Sequence, residues 1–241
     1  MNVYIITGTS KGIGFELAKQ LSSKGHFVIG IARTISKLDG VKFIRADLSE
    51  TEKLEALMEE VIAASPRDAV SFTLINNAGM VDPIGIIGNV HAGEMTKAIA
   101  VNLTAPMILS NVFISVLKNF QGVKRIVNIS SGAGRNAYEG WGTYCTTKAG
   151  LDHFSRVVAL EQGSAVHPVD IISIAPGIID TGMQETIRGS REEAFPLLDR
   201  FIDYKEKGLL SSAEQTARKL IAFMVNEDFK TAATIADLRD F

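Results

Sequence analysis

Residues 3–21 read VYIITGTSKGIGFELAKQL, and this stretch decides the fold. VYIIT is a short β-branched run of the kind that makes a buried strand. From Gly12 the apolar positions change period, with Ile13, Leu17 and Leu21 forming one helical stripe and Gly25 just past its end. Between the two lies TGTSKGIG (7–14). A glycine pattern alone is weak evidence, but here it has the strand–turn–helix setting that gives it meaning. Gly8 permits a tight turn, Gly12 a close backbone approach to a pyrophosphate, and Gly14 close helix packing. The free N–H groups at the helix start attract phosphate. A plain loop is the competing reading.

The same alternation continues along the chain. FVIGIA (27–32), VKFIRA (41–46), FTLIN (72–76), RIVNIS (125–130), DIISIA (170–175) and TIADL (234–238) read as further strands. Helical patterns separate most of them: SETEKLEALMEEVIAA with Ser49 as cap, a long apolar helix from about Gly93, one holding Tyr144 and Lys148, and a last one from about Ser212. Such alternation predicts a single-domain α/β fold over 1–241. It is a Rossmann-type, doubly wound parallel sheet of about seven strands with helices on both faces. Residues 182–211 are charged and irregular in pattern, and form a candidate flap over the substrate site.

With 241 residues, 46% hydrophobic and 22% charged, the chain is of ordinary globular composition. A net charge of −2 without a basic stripe gives no footprint for nucleic acid. The single cysteine, Cys145, excludes an intrachain disulfide and suits a reducing, cytoplasmic setting. Ala98–Leu117 carries no charge over a length that would span a bilayer. Its Asn102, Thr104, Ser110, Asn111 and Ser115, with Pro106, argue instead for a helix buried on most sides, not a membrane span. A subunit contact, probed at Ile114, follows. The histidines at 26, 91, 153 and 167 lack metal-ligand spacing, so no metal site is expected.

Two local patterns bear on chemistry. In GWGTYCTTKAG (140–150), Tyr144 and Lys148 stand four apart, which places phenol and ammonium on one helical face. There the cation can lower the phenol's pKa; a half-buried aromatic beside a solvated lysine is the plainer reading. At the end of the second strand, GIART offers Arg33 where an NAD enzyme would have an acidic residue for the ribose. With Lys11 in the glycine turn, this favours a 2′-phosphate and hence NADP(H); mere surface charge is the alternative.

Taken in order, TGTSKGIG, NNAG (76–79), Asn102 in VNLTAP, VNISSGAG (127–134), YCTTK (144–148) and PGIIDT (176–181) resemble the short-chain dehydrogenase/reductase family over essentially the whole chain. GWGTYCTTKAG and APGIIDTGMQ are most similar to its sepiapterin reductase and bacterial benzil reductase branch. The resemblance implies Tyr144 as proton donor, Lys148 as its partner, Ser131 on the substrate carbonyl and Asn102 on a relay water. The family's serine stands thirteen residues before the tyrosine, which prefers Ser131 to Ser130. Implied cofactor contacts are Gly8, Ser10, Lys11, Gly12, Ile13 and Gly14 in the turn, then Arg33, Asp47 and Leu48, Asn77 and Gly79, Tyr144 and Lys148, and Ile179 and Thr181. Implied substrate contacts are Ser131, Trp141, Tyr144, Gly177 and Asp237. For Trp141, simple packing under the loop is an equal alternative. The resemblance also implies a homodimer acting on a small carbonyl compound. A non-catalytic dinucleotide sensor on the same fold is the rival from another class.

Overall fold

The computed structural model describes residues 1–241. The elements run β1 (Asn2–Thr7), α1 (Gly12–Ser23), β2 (Phe27–Ala32), β3 (Val41–Arg45), α2 (Leu54–Ala63), β4 (Ser71–Asn76), α3 (Ala92–Ile99) and α4 (Ala105–Val116). They continue with β5 (Val123–Ile129), α5 (Gly142–Gln162), β6 (Asp170–Ala175), β7 (Ile179–Asp180), α6 (Gly182–Arg188), α7 (Leu198–Glu206), β8 (Ser211–Ser212), α8 (Ala213–Asn226) and β9 (Ile235–Asp237). Seven strands form one parallel sheet in the order β3-β2-β1-β4-β5-β6-β9. This is the doubly wound sheet expected, and its strands fall where the apolar runs lie.

Period-two alternation sorts the core onto two faces. Ile5, Ile29 and Leu74 point to the side covered by α2, α4 and α5, where Met58, Leu109, Phe113 and Val158 meet them. Ile6, Val28 and Ile75 point to the other side, against Leu17 and Leu21 of α1 and Leu220 and Ile221 of α8. The strand order reverses between β1 and β4, so the loops after these two strands diverge and leave a crevice at the sheet's C-terminal edge. Thr7 ties the loops together there. Its Oγ1 accepts from the N–H groups of Asn77 and Ala78, both at 3.0 Å, and Asn77 Nδ2 donates to the Thr7 carbonyl at 2.9 Å.

Two expectations about helices change. Ser49 is not a cap; its N–H and Oγ both donate to Asp47 Oδ1, at 3.0 and 2.8 Å, and a 3₁₀ turn, Thr51–Lys53, leads into α2. The aspartate two residues earlier wins because its carboxylate accepts both bonds in one local turn. The apolar helix is also less buried than its composition suggests. From Ala92 to Val116 it is continuous, yet only 39% of its most apolar window is buried, and Ile99, Met107 and Val116 are exposed. Ile114 instead packs partly against the core.

Pro106 is accommodated by a widened π turn over Ala100–Thr104 between α3 and α4. A proline lacks the N–H for an i→i−4 bond and crowds the carbonyl four residues back, which here belongs to Asn102. Opening the turn relieves both problems and sinks Asn102 into the interior, where it is 1% exposed.

Residues 182–211 are not irregular. They form α6 and α7, and the parallel pairing of β7 with β8 brings the two ends of the excursion together.

Candidate active site

The crevice at the switch point is a cavity of about 580 Å³. The glycine turn forms one wall. Gly8 and Gly12 have φ of +76° and +62°, which side chains rarely adopt. A Cβ on Gly14 would lie 2.4 Å from the Gly8 carbonyl oxygen, so only glycine lets α1 approach β1 this closely. Helix α1 starts without a side-chain cap or an acidic residue in its first turn, which leaves its leading N–H groups free for an anion. The backbone therefore fits a dinucleotide pyrophosphate.

Ser10, Lys11, Gly12, Ile13, Arg33, Asp47, Leu48, Asn77 and Gly79 line this same cavity, as do Ile179 and Thr181 from the far side. Gly14 lies behind it and acts through packing. Arg33 follows β2 directly, is exposed, and forms no ion pair; its charge helps hold Asp47 below the usual carboxylate range, after the Ser49 hydrogen bonds. The Lys11 ammonium reaches the start of α6 instead, where a Cβ on Gly182 would be 2.9 Å from it.

Helix α5 brings Tyr144 and Lys148 to the opposite wall, and Ser131 arrives from the loop after β5. Ser131 Oγ accepts from Ala133 N–H at 3.1 Å and so caps a 3₁₀ turn, Gly132–Gly134, which fixes its position. Ser130 is more deeply buried, with an unpartnered Oγ, and also lines the cavity. Asn102 does not reach the cavity wall. Its Oδ1 accepts from Met80 N–H at 2.9 Å, and its Nδ2 donates to the Met80 carbonyl at 2.8 Å and to Thr147 Oγ1 at 3.3 Å. In this arrangement it holds the loop after β4 against α5.

The electrostatics differ from the simple pairing of phenol and cation. Tyr144 and Lys148 do share a buried helical face, with Nζ 5.8 Å from the ring centre. Yet burial pushes Tyr144 up to about 12, with the Ser131 hydrogen bond the influence that lowers it. Burial also lowers Lys148 to about 8, and Asp152 raises it. Desolvation outweighs the other influences on both groups. Lys148 Nζ spends a hydrogen bond on the Ile129 carbonyl at 2.8 Å.

The substrate end is aromatic. Trp141 is 5% exposed, stacks on Phe195 at 4.8 Å, and meets Tyr144 edge-on at 5.4 Å and Phe201 at 5.1 Å. One indole face is thus already covered, and packing is its evident role, although it still borders the cavity. Gly177, with φ +90°, and Asp237 also border it. Asp237 is already paired: its carboxylate accepts from Arg239 Nε at 2.8 Å and Nη2 at 2.6 Å. Phe201 and Tyr204 of α7 line the same end and were not singled out from sequence. Their signal was available, since Leu197, Phe201 and Tyr204 follow the i, i+4, i+7 spacing of a helical face.

The model of the short chain dehydrogenase family matches residues 2–192. The chain belongs to this family. It is 41% identical to "Benzil reductase ((S)-benzoin forming)" of Bacillus cereus, covering 98% of each chain. It is 30% identical to the sepiapterin reductase of Rattus norvegicus, over 97% of this chain and 95% of that one. The crystal structure of the KRED1-Pglu enzyme superposes with a TM-score of 0.85 at 26% identity, covering 98% of this chain and all of that one. As a short-chain dehydrogenase with such relatives, the protein is an oxidoreductase of the ketone–alcohol pair, a carbonyl reductase.

Proposed function

We propose that this short-chain dehydrogenase uses NADPH to reduce one carbonyl of a vicinal diketone of the benzil type, with Tyr144 as proton donor. The observation that carries the reading is the meeting of Ser131, Tyr144 and Lys148 at one wall of the cavity whose other wall is the Gly8–Gly14 turn. When bound, the nicotinamide supplies the hydride. Ser131 holds the carbonyl oxygen by a hydrogen bond that strengthens as negative charge builds there. Tyr144 Oη gives its proton to that oxygen. A phenol at about 12 is fully protonated at neutral pH, and an alkoxide is the stronger base, so the transfer runs downhill. The adjacent carbonyl withdraws electrons from the attacked carbon, which favours vicinal diketones over simple ketones. The aromatic lining at Trp141, Phe201 and Tyr204 suits flat, apolar substituents.

Arg33 supports the choice of NADPH. A guanidinium clamps a phosphate in a bidentate way, and no acidic residue follows Arg33 along the chain before Asp39. NADPH is expected to be used at least tenfold better than NADH, by kcat/KM. Arg33→Asp should shrink or reverse this preference. Equal values for the two cofactors in the unaltered enzyme would refute the assignment.

A pteridine side-chain ketone is the second reading, favoured by Asp237 at the substrate end. Its engagement with Arg239 argues for the diketone. Benzil has no N–H donor, so Asp237→Ala should reduce kcat/KM for sepiapterin far more than for benzil. Equal losses would take Asp237 out of the substrate site.

The setting is cytoplasmic, where the half-buried thiol of Cys145 stays reduced; burial pushes its pKa up, away from reactivity. The exposed apolar residues of the α3–α4 helix, with Val157 and Leu160 of α5, support a homodimer. Because Ile114 is half-buried, Met107→Asp is the cleaner probe. Light scattering at micromolar concentration should give a dimer for the wild type and a monomer for the variant. A monomeric wild type would overturn the proposal.

A further inference from the structure

Tyr144, Lys148 and Asp152 stand at successive intervals of four on α5, and all three are buried on one face. Asp152 is 2% exposed, an expensive place for a carboxylate unless it is paired. Its Oδ1 accepts from Ser173 Oγ of β6 at 2.6 Å. Its Oδ2 lies 3.3 Å from Arg135 Nε, in the turn after β5. Arg135 also donates to the Ala236 carbonyl at 2.8 Å, and its Nη1 is 3.9 Å from Asp237 Oδ2, which Arg239 pairs from the solvent side. Charges thus alternate along Lys148, Asp152, Arg135, Asp237 and Arg239, from the interior to the mouth of the cavity. A Cβ on Gly134 would sit 2.9 Å from the Lys148 carbonyl carbon and 3.1 Å from Asp152 Oδ2, so the turn carrying Arg135 packs directly on this helix face.

We propose that Asp152 is a positioning residue of the reaction, supplying the buried negative charge that holds Lys148 as an ammonium, and that Arg135 sets how much of that charge Lys148 feels. This rests on the reading of Lys148 as the partner of the proton donor. The surroundings of Lys148 leave Asp152 this task. From β5 it meets the Ile129 carbonyl, on the side of the loop after β4 it lies by Gly79, where a Cβ would be 3.7 Å from Nζ, and from its own helix it meets the neutral Tyr144. Asp152 in turn faces Ser173 from β6, Arg135 from the turn after β5, and Asp237 beyond it. Burial alone drives Lys148 down, and Asp152 opposes this. Lys148 at about 8 and Tyr144 at about 12 also fix the order of titration: as pH rises, Lys148 loses its charge first.

The test is a pair of variants with opposite expected signs. In protein labelled with ¹³C at lysine Cε, the Lys148 signal is assigned by its loss in Lys148→Met and followed through a pH titration. Asp152→Asn keeps an acceptor for Ser173 but removes the charge, so Lys148 should titrate about one pH unit lower. The alkaline loss of kcat/KM with benzil and NADPH should move down with it. Arg135→Gln frees the full charge of Asp152 and removes a nearby cation, so both should move to higher pH. A merely structural role would reduce turnover or stability in both variants without opposite displacements. If Asp152→Asn does not fold, Arg135→Gln decides alone, because Arg135 is exposed. A Lys148 titration that stays at the wild-type pH would overturn the proposal. A wild-type protein that reduces no dicarbonyl would overturn the reductase reading, and the titration would still decide the role of Asp152.

Discussion

Tyr144→Phe is expected to lower kcat by roughly 10²–10⁴-fold, the range that a general acid contributes. The phenyl ring keeps the edge contact with Trp141 at 5.4 Å, so the wall of the cavity should keep its shape. Removing one buried hydroxyl while keeping the ring should leave NADPH affinity within about threefold of wild type, as near-isosteric changes have small effects. Steady-state turnover of benzil and NADPH binding by fluorescence quenching measure the two separately. A variant that kept half of its activity would show that another group donates the proton.

Gly14→Ala should produce the largest loss of stability. The added methyl would stand 2.4 Å from both the Gly8 carbonyl oxygen and Asn77 Nδ2. The first is backbone, held in the turn after β1, and cannot swing aside. Overpacking of this kind costs about 3 kcal/mol, which for a chain of this size means a Tm lower by roughly 6–12 °C. NADPH binding should weaken as well, because α1 must shift to make room. Gly93→Ala in α3 is the matched control. Nothing lies within 4 Å of its added Cβ, so the helix should gain roughly 0.5–1 kcal/mol. Thermal unfolding of both variants would show the contrast, and similar Tm values for the two would contradict the packing account.

Most of the fold was legible because it is written locally. Runs such as FVIGIA and DIISIA coincide with β2 and β6 residue for residue, since a strand buried on both faces needs a largely apolar run. The glycine turn was legible for a similar reason, because its backbone demands fall on adjacent residues. What escaped depends on partners distant in sequence. Ser49 has the chemistry of a helix cap, but its N–H and hydroxyl are both drawn to the Asp47 carboxylate. The π turn at Asn102 follows from Pro106, yet its purpose appears only when the loop at Met80 is seen to bond to it. For Trp141 the sequence leaves stacking on a substrate and packing under the loop equally open, because Phe195, which covers one face of its ring, lies more than fifty residues later. The charge on Lys148 is the clearest case. Spacing predicts that it shares a face with Tyr144, which it does, but burial and Asp152 also act on it, and Asp152's own setting depends on Ser173 and Arg135. Burial, which sets the sign of both shifts, is a property of the whole fold.

The most direct test of the central claim is the oxidation of NADPH by the purified protein with benzil, followed by loss of the reduced cofactor's near-ultraviolet absorbance and analysis of the product. Cofactor loss that requires both protein and diketone, with one hydroxyketone formed for each NADPH consumed and far slower turnover of simple monoketones, is the predicted result. Tight NADPH binding without turnover across a panel of diketones and pteridines would contradict it, and would mark the protein as a dinucleotide sensor built on a reductase fold.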